Sequence, residues 1–379
     1  MEYQKMKLNE IRLNNDVASG MFYLEFKDNY LKIVDESNSI VWMKTFECQI
    51  CTVKQAIGNF NTACEQIQVD LESGKTIIYS TLGNLLYESA AQKPYFDNYA
   101  EEFRAPIIYT ADLYQGFYQV DVQIEHELDS YEIFDTRGMC VYLGDDVNIT
   151  FNTYVGKYEV FNLKSRDDLT ISSIDLKRIE SKPITYIIGD STLANKVLPY
   201  WSWPQLLQAK TGNICINYAI DARSTKSFML EQRFDKLLET IKPGDTVVIG
   251  FGHNDQKPNK FGVSETEFIQ NLKYMIKEIS SRHASSVIVT PIARRLFVDG
   301  TLINSHNNYL NTIQNNFEVV ANLNQFTTQV IKQLGEEESK KLFVHSDLMK
   351  IYDNTHTSFL GANLICDFFI KASKHNKNQ

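Results

Sequence analysis

Long apolar runs are missing from this chain of 379 residues. No stretch has the length and freedom from charge that a bilayer-spanning helix needs. The first residues, Met-Glu-Tyr-Gln-Lys-Met-Lys-Leu-Asn-Glu, also lack the apolar core of a secretory leader, so the expected location is the cytoplasm. Cysteine is scarce: six in a protein of this size exclude a disulfide scaffold. Cys48 and Cys51 form a Cys-x-x-Cys, but Cys64 stands alone and Cys140 is remote. With no second pair at zinc spacing, packing of small apolar side chains is the expected use, and no metal or organic cofactor is implied. Basic excess is absent as well, the formal charge being −9. The first 180 residues carry 16 Lys and Arg against 29 Asp and Glu, a net −13, and the remainder 22 against 18, a net +4. The acidic first half disfavours nucleic acid, whereas the second tolerates an anionic substrate.

What the first half does contain is short runs of alternating apolar and polar residues. Gly20 to Lys27, Tyr30 to Val34, Tyr118 to Ile124, Cys140 to Leu143, Val147 to Asn152 and Leu169 to Ile179 are separated by turn residues such as Asp28-Asn29 and Gly144-Asp145-Asp146. Period-two patterning of this kind predicts an all-β sandwich over residues 1–180. His126 is the sole histidine of this half, so no catalytic constellation is visible there. Its aromatic residues, among them Tyr95, Phe96, Tyr99, Phe103, Tyr109, Tyr114, Phe117 and Tyr118, suit either a sugar-stacking face or an ordinary core, and the core is the expectation.

Lys182-Pro183 marks a change of rhythm, and residues 181–379 read as a second domain. Short apolar strands are expected at Ile184–Ile188, 213–220, 245–252, 286–292 and 341–347, with amphipathic helices at 229–240, 264–281, about 304–334 and about 358–372. Strands alternating with helices imply a parallel sheet covered on both faces. In such a fold the loops after the strands gather at one end of the sheet. Three of them are polar: Gly189-Asp190-Ser191-Thr192, Asn217 to Ser224, and Gly250-Phe251-Gly252-His253-Asn254-Asp255. Asp353-Asn354-Thr355-His356, ahead of the last helix, can reach them.

Taken singly, each block is explained by a capped turn. Together they supply what acyl transfer by serine requires. Ser191 is the nucleophile, His356 the base, and Asp353, three residues earlier, the group that orients its imidazole. The oxyanion is met by the N–H of Ser191, an N–H at Ala222 and the side-chain amide of Asn254. Asp190 is expected to tie its loop to neighbouring backbone, and His253 to brace Asn254. Arg223 has two readings of equal weight, a fork for a uronate carboxylate or an ion pair with Asp221.

Gly-Asp-Ser-Thr-Leu, the Asn-x-Ala…Arg-Ser block, Gly-His-Asn-Asp and Asp-x-x-His, in that order, resemble the four blocks of the SGNH (GDSL-type) hydrolases. Ala-Arg-Ser-Thr-Lys-Ser-Phe, Phe-Gly-His-Asn-Asp and Asp-Asn-Thr-His-Thr-Ser resemble the rhamnogalacturonan acetylesterase branch. The resemblance covers roughly residues 181–375 and implies a flavodoxin-like three-layer α/β/α domain, preceded here by a β-rich accessory domain. It implies a serine carbohydrate esterase that takes acetyl groups from pectin-derived oligosaccharides, with no nucleic-acid or membrane partner. An SGNH lipase or thioesterase, and a non-catalytic glycan-binding protein, are the alternatives. Two departures bear on substrate fit: Ala222 stands where the family usually has glycine, and Ser202-Trp203-Pro204-Gln205 replaces Gly-Trp-Gly-Gln, leaving Trp203 as a candidate substrate contact.

Overall fold

The computed structural model describes residues 105–376 except 106, 112, 126–128, 157–158, 168, 307 and 347–349, and, before residue 105, the course and pairing of seven strands. Cys48, Cys51, Cys64, His126, Tyr95, Phe96, Tyr99 and Phe103 lie outside the described residues. The chain divides into two compact units, Met1–Thr136 with Tyr142–Ser181, and Arg137–Val141 with Lys182–Gln379.

Every regular element described in the first unit is a strand. Between Lys5 and Ser89 the strands form one seven-stranded sheet, antiparallel except where Lys5–Leu13 lies parallel to Gln66–Asp70. A four-stranded and a three-stranded sheet occupy the stretch from Ile107 to Ile179. Among the described residues this half is therefore strand, shared among three sheets. Gly116–Glu125 shows the physical cause most simply. Val120, Val122 and Ile124 are buried while Asp121, Gln123 and Glu125 point the other way, the two-residue period of a strand with one apolar face. Phe117 and Tyr118 are buried too, which assigns them to core, whereas Tyr114 is exposed.

In the second unit β1 (Ile184–Gly189), β2 (Ile214–Asn217), β3 (Thr246–Gly250), β4 (Ser285–Val289) and β5 (Val319–Ala321) pair in the order β2-β1-β3-β4-β5, all parallel. This is the flavodoxin-type order. Because parallel crossovers are right-handed, the reversal of direction after β2 sends helices to both faces. The helices are α1 (Leu207–Thr211), α2 (Thr225–Leu230), α3 (Arg233–Thr240), α4 (Glu265–Ser280), α5 (Tyr309–Asn316), α6 (Leu323–Glu338) and α7 (Phe359–Asn376). One set, α2 to α5, packs in succession; α7 instead packs on α6, on β5 and on the turn Trp203–Leu206. Helix α4 illustrates why: Phe268, Ile269, Leu272, Met275 and Ile279 make one buried stripe, and the Ser264 hydroxyl caps the helix by accepting from the Glu267 N–H. The central strands are nearly continuous apolar runs, with Ile187, Ile188 and Val247 wholly buried, as a sheet covered on both faces demands. At the opposite end from the site, Asp245 accepts from the N–H groups of Ile184 and Lys242 and so fixes where β1 begins beside β3.

Two expectations are corrected. The helix expected over 304–334 is interrupted: α5 ends at Asn316, and the β-branched pair Val319-Val320 supplies β5 before Asn322 caps α6 through its side chain. The strand expected at 341–347 is not in the parallel sheet. Phe343–Ser346 (β6) pairs antiparallel with Ile351–Thr357 (β7), and the few residues between them are too short for a parallel crossover.

β1 and β3 leave no room for a side chain between them at their site ends. A Cβ built on Gly189 would stand 2.3 Å from the Gly250 carbonyl oxygen, a backbone atom that cannot swing aside. Gly189→Ala is therefore expected to cost about 1–3 kcal/mol and to lower the melting temperature by roughly 2–4 °C per kcal/mol. A calorimetric scan showing an unchanged melting temperature would mean that the strands separate here at no cost.

Candidate active site

β1 ends at Gly189, and the next residues turn back on themselves: the N–H groups of Leu193 and Ala194 donate to the Asp190 carbonyl at 3.0 and 3.1 Å. The Asp190 side chain is fully buried. Its Oδ1 accepts from the Thr192 N–H and hydroxyl, and its Oδ2 from the His253 N–H at 3.2 Å. Burial raises its pKa, and these three donors partly offset that. Asp190 ties the serine loop to neighbouring backbone, in line with its expected part.

Ser191 projects from this turn toward β7. Its Oγ lies 2.8 Å from His356 Nε2, and His356 Nδ1 lies 2.7 Å from Asp353 Oδ2. With Nδ1 protonated, the ring donates to Asp353 and accepts the serine hydroxyl proton at Nε2. The Asp353–His356 turn exists because Asp353 Oδ1 also accepts the N–H groups of Thr355 and His356, at 2.7 and 2.9 Å. This side-chain turn makes the irregularity in β7, where the register jumps from Phe343↔Thr357 to His345↔Tyr352. Partial burial works against the Asp353 charge, but the His356 ring donor and the two backbone donors outweigh it and hold the carboxyl down at about 2. Asp353 is therefore ionised at neutral pH. The Tyr200 ring stands edge-on to the imidazole, with centroids 6.0 Å apart.

The other expected residues fall into place unevenly. Asn254 follows β3 and donates from Nδ2 to the Arg223 carbonyl at 3.1 Å, which brings it against the Ala222 loop with one amide hydrogen still available. Ala222 has φ 62°, the left-handed region that favours glycine. Arg223 is engaged by a different acid from the one expected: its Nε donates to both carboxylate oxygens of Glu231, and Nη1 donates to the Asp221 carbonyl. The Asp221 carboxylate is paired with Lys196 instead. Trp203 is corrected outright. It is wholly buried and packs on Phe369 of α7 at 4.6 Å, so it belongs to the core and reaches no substrate. His253 is also a correction: its ring lies edge-on to His306 with neither nitrogen bonded, so its bracing is done by its backbone. Burial pushes its pKa well down, which keeps the ring neutral.

The loop after β4 was not visible in the sequence as part of the site. Arg295 is buried; its N–H donates to the Asn354 carbonyl at 2.8 Å, its Nη1 to Asn354 Oδ1 at 3.0 Å, and its Nε to the Glu336 carbonyl and the Ser339 hydroxyl. Asn354 Oδ1 also lies 2.9 Å from His345 Nε2. The turn carrying Asp353 and His356 is thus clamped from both sides. The available signal was Thr290-Pro291-Ile292-Ala293-Arg294-Arg295 itself, a polar loop at a strand's carboxyl end.

A hydroxyl, an imidazole and a carboxylate in hydrogen-bonded series, at the carboxyl end of a flavodoxin-ordered sheet, can carry out acyl transfer, and the class they define is the serine ester hydrolases. Comparison with known proteins agrees. The model of the GDSL-like lipase/acylhydrolase family matches residues 187–335. The chain is 33% identical over 199 residues to rhamnogalacturonan acetylesterase RhgT of Bacillus subtilis strain 168, covering 48% of this chain and 85% of that one. It is 28% identical over 201 residues to the probable rhamnogalacturonan acetylesterase YesY of the same organism, covering 50% and 91%. Among solved structures, YxiM of Bacillus subtilis superposes with a TM-score of 0.49 at 20% identity, covering 80% of this chain and 85% of that one. The chain belongs to the GDSL-like lipase/acylhydrolase family.

Two outcomes follow from the geometry. Replacing Ala222 by glycine relieves a left-handed backbone that costs alanine about 1 kcal/mol; the variant is expected to melt up to roughly 2–4 °C higher, and a lower melting temperature would show that the backbone is not strained there. Asp255, buried, accepts twice from Thr225 through Oδ1 and leaves Oδ2 without a partner. Burial raises its pKa to about 7, against the Thr225 donors and with help from Asp190. The folded state therefore holds a proton that the unfolded chain releases near the usual carboxylate pKa, and this stabilisation is lost as pH rises through about 7. Urea unfolding of the wild type is expected to show stability declining from about pH 4 to about pH 7 and levelling off above, at a slope of at most roughly 1.4 kcal/mol per pH unit, relative to Asp255→Asn. Parallel curves for the two proteins would remove Asp255 as the cause.

Proposed function

We propose that this protein is a serine carbohydrate esterase that removes O-acetyl groups from pectin-derived, rhamnogalacturonan-type oligosaccharides. The observation that carries the reading is the continuous series Ser191 Oγ, His356 Nε2, His356 Nδ1 and Asp353 Oδ2, at 2.8 and 2.7 Å. The naming of RhgT and YesY as rhamnogalacturonan acetylesterases supports the substrate class. The all-β unit is read as an accessory domain.

Ser191 Oγ attacks the acetyl carbonyl as its proton passes to His356 Nε2, and Asp353 stabilises the imidazolium that forms. The tetrahedral oxyanion accepts from the N–H of Ser191, the N–H of Ala222 and the free amide hydrogen of Asn254. Collapse breaks the ester C–O bond; the sugar oxygen takes the proton from His356 and leaves as a hydroxyl. Water then gives its proton to His356 and attacks the acetyl-enzyme, releasing acetate and restoring Ser191.

Ser191→Ala and His356→Ala are each expected to lower kcat by about 10⁴- to 10⁶-fold with unchanged melting, and the double variant should be scarcely slower than either. Additive losses would sink the idea that the two act as a unit. On p-nitrophenyl esters, acetate should be turned over faster than butyrate or octanoate; a preference for long chains would favour the lipase or thioesterase reading, and no turnover of any ester the glycan-binding one.

A further inference from the structure

Arg294 differs from four other arginines of the second unit. Arg223 and Arg233 engage Glu231, Arg282 engages Glu278, and Arg295 spends its fork on Glu336, Ser339 and Asn354. Arg294 makes one hydrogen bond, from Nη2 to the His253 carbonyl at 3.1 Å, and among the described residues no carboxylate stands within ion-pair distance. A guanidinium has five N–H donors, so most of its capacity is unspent although the side chain is partly out of water. The nearest negative influence is Asp190, whose oxygens already serve Thr192 and His253. A partly desolvated cation in this state gains from an anion brought in from outside.

Space for one adjoins it. Arg294, Asn304, Ser305, His306, Asn324 and Lys332 line a cavity of about 100 Å³. No acid is among them. The Ser305 hydroxyl is buried without a partner. Asn324 is engaged by the Pro291 carbonyl, and His306 sits between the Ile292 carbonyl and Gln256, held neutral by burial with its pKa down at about 4. What remains available is two cations and the Ser305 hydroxyl, with Thr328 and the Asn304 amide beside them. The volume leaves room for a carboxylate group. The position is next to the chemistry, since β4 neighbours β3 and Arg294 holds the residue before Asn254.

We propose that this cavity is a carboxylate subsite in which Arg294, aided by Lys332 and Ser305, receives the acid group of a uronate adjoining the acetylated sugar, or the acetate the reaction releases. The inference rests on the esterase reading. Arg223, already bound to Glu231, is replaced in this part by Arg294.

The test uses the full-length enzyme and a matched pair of acetylated oligosaccharides, one with free uronate and one with the uronate methyl-esterified. For the acid, kcat/KM is expected to be at least about tenfold higher, mainly through KM, with the advantage shrinking as salt rises. Arg294→Gln should bring the ratio near one, Arg294→Lys should keep part of it, and Lys332→Gln, a change at an exposed position, should reduce it severalfold. If acid and ester are turned over equally but millimolar acetate inhibits the wild type and not Arg294→Gln, the carboxylate held is the product. Equal turnover of the pair with no acetate inhibition overturns the subsite, while continued turnover of p-nitrophenyl acetate would leave the esterase reading standing. Absence of that turnover would sink the esterase reading itself.

Discussion

The buried carboxylate of Asp190 is the constraint from which the site is built. A charge removed from water is costly unless its oxygens are filled, and the donors that fill these come from two different loops. Thr192 fixes the turn that presents Ser191; the His253 N–H fixes the loop that presents Asn254. Equivalent ties continue outward. Asn254 and Asp255 bind the loop after β2 through the Arg223 carbonyl and Thr225, Arg294 binds the loop after β3 through the His253 carbonyl, and Arg295 binds the β7 turn through Asn354. Each loop at the carboxyl end of the sheet is thereby held by polar contacts to its neighbour. Apolar packing lacks the direction to set a serine oxygen and an imidazole nitrogen at hydrogen-bond distance; carboxylates and amides supply that direction.

This placement makes the site's loops sensitive to protonation in opposite senses. Asp190 and Asp255 are pushed toward the neutral acid by burial, Asp255 further by Asp190, while His253 and His306 are pushed toward the neutral ring. Asp353, nearer the surface and surrounded by donors, is the exception, and on the proposed mechanism it is the acid that would stabilise the imidazolium of His356. The difference in environment separates structural acids from the proposed functional one.

Much of this was legible in the chain because it rests on local signals. β-branched runs ending in Gly-Asp-Ser and in Gly-His-Asn-Asp mark strands feeding polar loops, and Asp353 three residues before His356 marks a side-chain turn. The parts that were not legible depend on partners distant in sequence. Val319–Ala321 is too short to interrupt a helical pattern by its own propensity, and only pairing with β4 makes it a strand. Trp203 looks like a binding aromatic until α7, more than 150 residues on, covers it. Arg294 and Arg295 are adjacent in sequence and chemically identical, yet one is consumed by structure and the other is left with open donors; the division is set by which way each faces from a single loop.

The Ala222 loop shows how a locally unfavourable conformation is kept. A left-handed alanine relaxes unless its neighbours over-determine the backbone. Here the following residue, Arg223, is fixed at three points: its carbonyl accepts from Asn254, its Nη1 donates to the Asp221 carbonyl, and its Nε grips Glu231 just past the end of α2. Glu231 is held in turn by Arg233, and its carboxyl is kept below the usual range by these arginines despite burial. Ser224 then opens α2 with a reciprocal cap through Ser227. The strain at Ala222 is thus trapped between a bonded arginine and a capped helix. On the proposed reading, Arg223 holds the Ala222 N–H where an oxyanion would form, which requires its ion pair with Glu231 to stay intact.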